Sequence, residues 1–153
     1  MAKERLTLAV LTNASGSDKR VFVIGKSARP RCFKGVKQVP LPYFSNSNSW
    51  MTADLFSHLC ATFDADMRRK NRRVILIVDN ATCHKFTPLT NVKLVFLPPN
   101  TTSLIQPLDQ GIIRAFKCHY RTAVMRYILS VMEATAKDAI EAARGVDVLR
   151  AMQ

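Results

Sequence analysis

No apolar run in this 153-residue chain approaches the roughly 20 residues that a membrane-spanning helix needs, so no span and no membrane partner are expected. The stretch Leu6–Leu11 follows basic Lys3 and Arg5 but is short and contains a threonine, which argues against a signal-peptide core. Cys32, Cys60, Cys83 and Cys118 show no CxxC spacing, and reduced intracellular thiols are the expectation. Acidic residues are the scarcest feature: 11 Asp and Glu stand against 23 Lys and Arg, leaving a formal charge of +12. No lipidation signal or amphipathic basic anchor accompanies that charge, so it predicts a polyanionic partner, nucleic acid before membrane, bound in a salt-dependent way.

What is present suits one α/β domain with a sizeable core: 48% of residues are hydrophobic and 22% charged, and neither an internal repeat nor a low-complexity tract is evident. Arg5 to Thr12 reads as a strand, Asn13 to Asp18 as a turn, and Arg20 to Lys26 as the antiparallel partner. Residues 27 to 50 hold three prolines and no clear period, and are read as an irregular loop carrying Lys26, Arg29, Arg31, Lys34 and Lys37 at its start. A helix follows, with Thr52 as N-cap, Asp54 in its first turn and an apolar face of Leu55, Phe56, Leu59, Cys60, Phe63 and Met67.

That helix ends in Arg68, Arg69, Lys70, Arg72 and Arg73, a run that suits the helix dipole as well as it suits a DNA backbone. The next segment, VILIVDNATCH, delivers Asp79 and Asn80 to the end of five apolar β-formers, Val74 to Val78, read as a buried strand. A turn around Pro88 and a further strand, Val92 to Leu97, favour parallel pairing. From Leu108 to about Met132 the residues Ile112, Ile113, Phe116, Tyr120, Val124, Tyr127 and Val131 recur at helical spacing. Arg114, Lys117 and Arg121 share the polar face of that helix, a second candidate nucleic-acid contact. Asp109, thirty residues beyond Asp79 (109 − 79), stands one turn ahead of Ile112 and Ile113 and is expected to point towards the sheet. Each aspartate alone reads equally as a cap; two acids on separate elements suggest metal-dependent chemistry on phosphate.

The segments KERLTLAVLTNASGSDK, VDNATCH and LPPNTTSLIQPLDQGII resemble the DDE superfamily domain of Tigger and pogo-type transposases and their domesticated relatives, including centromere protein B. The resemblance covers nearly the whole chain, and its LPPNTTSLIQPLDQG block is long enough to be specific. It implies a ribonuclease-H-like mixed sheet flanked by helices, in the nucleus. It also implies Mg²⁺ or Mn²⁺ held by three carboxylates, attack of water and then of a freed 3′-hydroxyl on DNA phosphodiesters, and roles for Asp79 and Asp109 as second and third catalytic acids and metal ligands. Asn80, His84, Asn100, Ser103 and Gln106 would shape that site.

In the family the first catalytic aspartate lies on a strand just upstream of the segment matching KERLTLAV. The expectation is therefore a core truncated at both ends, residues 1–132, with its first catalytic strand missing, followed by a truncated Ala-rich helical tail, residues 133–153. Such a chain would bind DNA and be inactive alone. The alternatives are a nuclease completed by another segment or a non-enzymatic chromatin module, and self-association through sheet completion is conceivable on either reading.

Overall fold

A computed structural model of the chain describes residues 5–85 and 88–153. Lys3 and Glu4 of the KERLTLAV segment, and residues 86 and 87 just ahead of Pro88, lie outside the described residues. The architecture is mixed α/β, in two compact units: residues 1–51 with 122–153, and residues 52–121.

In the first unit, β1 (Thr7–Thr12) and β2 (Lys19–Gly25) pair antiparallel, from Thr7 opposite Ile24 to Thr12 opposite Lys19. The connecting turn is held by Asn13, whose Oδ1 accepts the Asp18 amide at 3.0 Å and whose backbone carbonyl accepts the Gly16 amide at the same length. That is the hairpin the turn residues predict. The loop expected over residues 27–50 is not irregular throughout. It contains a 3₁₀ turn at Arg31–Phe33 and a short strand, β3 (Tyr43–Ser45), parallel to β2 with Val23 opposite Tyr43. A three-residue strand joined by a crossover leaves no periodic trace in sequence, because only the distant partner defines it. Val23, Val148 and Met152 form the buried centre of this unit, with Leu6, Cys32, Phe33, Val39, Leu41 and Tyr43 packed around them.

In the second unit, α1 (Ala53–Arg69) starts at Thr52, whose hydroxyl accepts the Leu55 amide as predicted. Phe56, Cys60 and Met67 of its expected apolar face are buried. β4 (Val74–Val78) and β5 (Val92–Phe96) pair parallel in register, Val74 with Val92 and Val78 with Phe96. The expectation of a fully buried strand fails for β4: Ile75 and Ile77 are 65% and 55% exposed while Val78 is buried. Alternation, not the apolar run itself, governs which side chains are covered, because successive Cβ atoms point to opposite faces.

The helix read as continuous from Leu108 is interrupted. After α2 (Thr102–Ile105), a wide turn over Leu108–Ile112 precedes α3 (Ile113–Ala134), and Gly111 sits at φ +115° between them. Glycine alone enters that left-handed conformation without a Cβ penalty, so the break is written at this position. The predicted apolar face of α3 is also largely uncovered: Ile112, Phe116 and Tyr120 are exposed, and Ile128, outside the predicted set, is its buried residue. Two short helices complete the chain, α4 (Ala139–Arg144) and α5 (Val148–Ala151), capped by the side chains of Asp138 and Asp147.

Candidate active site

Asp79 and Asn80 follow the last residue of β4, where the strand delivers them to one end of the β4–β5 pair. The Asn80 amide donates from Nδ2 to the carbonyl of Leu97, tying the ends of the two strands together. Asp79 Oδ1 accepts the Ala81 amide at 3.2 Å and lies 2.6 Å from His84 Nδ1, which also approaches the Asp79 carbonyl at 3.2 Å. Both contacts are to oxygen, so Nδ1 carries the proton in this arrangement. The imidazole is stacked on Phe56 of α1, with ring centroids 4.4 Å apart and planes 29° apart. Helix α1 thus fixes the histidine, and the histidine fixes one oxygen of the carboxylate.

Beside this strand end lies an open hollow lined by Asn80, Ala81, Asn100, Thr102, Ser103 and Asp109. Its far wall is built by local turns. Thr101 donates its hydroxyl to the Pro98 carbonyl at 2.7 Å, and Gln110 donates from Nε2 to the Ser103 carbonyl at 3.0 Å. Asn100 adopts φ +60°, a left-handed conformation that asparagine tolerates better than most residues. Asp109 is exposed and faces this hollow, which corrects the expectation that it points into the sheet. The reason is the Gly111 break: residues before it do not continue the helical face that carries Ile112 and Ile113.

Of the residues singled out in the sequence, Asn80, Asn100, Ser103 and Asp109 meet around one hollow. Asp79, one residue before Asn80, pairs with His84, and neither is in that lining. Gln106 is not in the lining; its Oε1 is buried with no hydrogen-bond partner among the described residues. The basic run splits. Arg68 approaches Asp64 at 3.5 Å, and Arg69 and Lys70 reach Asp66 at 2.7 and 3.0 Å, so these three cations face carboxylates of their own helix. Arg72 and Arg73 make no ion pair among the described residues, and both are exposed, as are Arg114, Lys117 and Arg121 on α3. Tyr43 and Phe44 pack edge-on or tilted against Phe33 and Phe22.

Asp64 is the residue that sequence reasoning passed over. Its Oδ1 accepts the amides of Asn91, Val92 and Thr90 at 2.7, 2.9 and 3.0 Å, and its Oδ2 accepts the Thr90 hydroxyl at 2.9 Å. Burial pushes its carboxyl upward, but these bonds outweigh burial and hold it below the usual carboxylate range. The signal was available: Asp64 falls four residues after Cys60 and three before Met67, on the covered face of the helix, where an unpaired carboxylate is not tolerated. The same helix buries Cys60, whose thiol is pushed up to about 11 by burial and is inert as a nucleophile near neutral pH.

The donors at the strand end are hard oxygens, which suit Mg²⁺ or Mn²⁺. Among the described residues no three His, Cys, Asp or Glu side chains are grouped as a ready cage. A small divalent ion held by few protein carboxylates keeps water or phosphate oxygens as its other ligands.

Compared with known proteins, residues 3–153 match the family described as DDE superfamily endonuclease. The chain belongs to that family. It is 34% identical to mouse Tigger transposable element-derived protein 4 over 151 residues, which covers 97% of the chain and 29% of that relative. It is 32% identical to human Major centromere autoantigen B over 135 residues (86% of the chain, 22% of the relative). ARS-binding protein 1 of Schizosaccharomyces pombe is 34% identical over 145 residues (86% of the chain, 27% of the relative). The chain thus spans less than a third of the length of these relatives. No solved structure matches it. In this DDE superfamily member, the VDNATCH and LPPNTTSLIQPLDQGII segments are the ones that build the strand end and the hollow.

Proposed function

We propose that this chain is the DNA-binding part of a transposase-derived DDE core with a ribonuclease-H-like fold, in which Asp79 and Asp109 are the second and third catalytic acids. The observation that carries the reading is the hollow that brings Asp109 and Ser103, from the LPPNTTSLIQPLDQG segment, against Asn80 at the end of β4, one residue from Asp79. Asp79 and Asp109 would hold Mg²⁺ or Mn²⁺, and the bound ion would polarise the scissile phosphodiester. His84 positions Asp79, Asn80 keeps the two strand ends together, and Asn100 and Gln106 shape the loop.

Cleavage by this chain alone is not expected, because its other described aspartates near the strands are committed elsewhere. Asp64 accepts backbone amides, Asp66 pairs with Arg69 and Lys70, and Asp18 pairs with Arg20. DNA is the partner to which the charge of +12 points, with Arg72, Arg73, Arg114, Lys117 and Arg121 as exposed phosphate contacts and Arg68, Arg69 and Lys70 beside them. Nuclear localisation goes with that partner.

The test is binding of duplex DNA by the purified chain, followed by Mg²⁺- and Mn²⁺-dependent nicking of supercoiled DNA beside Asp79→Asn and Asp109→Asn. Salt-sensitive binding without nicking supports the reading. Nicking that both variants lose would show that two acids suffice, and absence of binding would refute it. A second reading, a module that keeps the fold for its charge alone, is favoured by the His84 contact, which already occupies Asp79 Oδ1. On that reading a full-length protein would lose no function in either variant.

A further inference from the structure

Between Asp18 and Asp54 the sequence contains no acid, while it contains seven cations: Lys19, Arg20, Lys26, Arg29, Arg31, Lys34 and Lys37. Arg20 pairs with Asp18 at 3.2 Å. The five from Lys26 to Lys37 are all exposed, and none makes an ion pair among the described residues. They occupy a single excursion whose base is closed by parallel pairing of β2 with β3, where Gly25 lies opposite Ser45 and the Asn46 amide donates to the Gly25 carbonyl at 3.1 Å.

This excursion is anchored by its apolar residues. Tyr43 donates its hydroxyl to the Ser27 carbonyl at 2.7 Å and meets Phe33 edge-on with centroids 5.0 Å apart. Cys32, Phe33, Val39 and Leu41 pack on the Val23, Val148 and Met152 core. Gly35, at φ +80°, makes the sharp bend between Lys34 and Lys37 that a residue with a side chain would resist. The cations are therefore held on a fixed base, so less loop entropy is lost when they meet a charged partner.

We infer that the Lys26–Lys37 excursion is a second nucleic-acid contact surface, separate in sequence from the basic residues of the second unit, and that it takes the phosphate backbone of DNA. The inference rests on the DNA-binding reading above and adds a location to it. Membrane is the poorer partner, since Cys32, Phe33 and Val36 are at least half-covered and an inserting loop would present its apolar side chains outward. Phosphate contacts of this kind position DNA without reading its bases, so binding here is insensitive to sequence.

The experiment uses the full chain and a fluorescent duplex, titrated across salt. Arg29→Ala, Arg31→Ala and Lys34→Ala are combined in one variant. A control removes three exposed cations elsewhere, Arg126→Ala, Lys137→Ala and Arg144→Ala. Each lost phosphate contact lowers the slope of log affinity against log salt by about 0.9, so the loop variant should lose about 2 to 3 from its slope and roughly tenfold or more in affinity near 100 mM salt. The control should shift affinity by less than about threefold. Matching thermal melts of both variants and the parent chain establish that each is folded.

Equal slopes for loop variant and control, with the parent still binding DNA, would overturn this inference and leave the proposed function standing. A parent chain that binds no DNA at any salt would overturn both. Displacement of DNA by poly-glutamate at equal charge concentration, lost in the loop variant, would assign the surface to acidic polypeptides instead.

Discussion

The two ends of the β4–β5 pair each carry a buried or half-buried aspartate, and they use it in opposite ways. At the start of the strands, Asp64 is 3% exposed, and both of its oxygens are engaged, by three backbone amides and one hydroxyl. At the finish, Asp79 has a side chain 26% exposed and, among the described residues, engages only Oδ1, with His84 and the Ala81 amide. A carboxylate whose lone pairs are all taken by the fold is part of the fold. One with an oxygen that no described residue engages retains capacity for a cation. Helix α1 serves both ends: Phe56 near its start stacks on His84, and Asp64 two turns later caps the beginning of β5.

The largest effect should come from Asp64→Ala. The change leaves three amides and a hydroxyl without this acceptor, the Val92 amide buried and the others part-buried, and unpaired buried donors cost about 1–3 kcal/mol each before relaxation and water entry. A net loss of about 4 kcal/mol in urea denaturation is expected, with Asp64→Asn intermediate. A loss below about 1 kcal/mol would remove the distinction between the two ends.

The same residue predicts the acid limb of stability. Its folded carboxyl titrates below the unfolded value of about 3.9, so its contribution is fully present above that pH and is lost as pH falls through the folded value. The melting temperature of the parent chain should therefore drop more steeply below about pH 4 than that of Asp64→Asn. Parallel acid limbs would show that other carboxylates dominate.

Phe56→Ala comes next. The ring is 6% exposed and lies against His84, so its removal should cost about 3 kcal/mol and also release the imidazole that holds Asp79. A stability loss without any change in His84 chemical shift would separate the packing of α1 from the positioning of the strand end.

The sequence made some of this plain and hid the rest for identifiable reasons. The Asn13–Asp18 turn, the Thr52 cap and the strands at two apolar runs are local features, and each formed where its residues predicted. Asp79 at the end of β4 was legible because a run of β-formers simply stops there. Strand β3 was not, since three residues acquire a strand identity only by lying beside β2. Nor was the exposure of Ile75, Ile77 and Phe116, because an apolar period says which residues share a face and not whether anything covers it. The Gly111 break was readable in principle, as a glycine inside a helical pattern, yet its consequence for Asp109 depends on a left-handed φ that sequence does not report.

The smallest expected change in stability is also the one that tests the free end most directly. Asp79→Asn removes a partly exposed pair with His84, and such pairs contribute at most about 1 kcal/mol, so urea denaturation should scarcely distinguish the variant. Its response to a divalent ion should differ sharply. An ion bound to the folded chain at ten times its dissociation constant stabilises by about 1.4 kcal/mol, enough to raise the melting temperature measurably. Mn²⁺ should raise it for the parent chain and fail to do so for Asp79→Asn and for Asp109→Asn, whereas Asp64→Asn should keep the shift from its lower baseline. If Asp79→Asn responds as the parent does, the ion sits elsewhere, and the spare oxygen at the end of β4 is no more functional than the committed ones at its start.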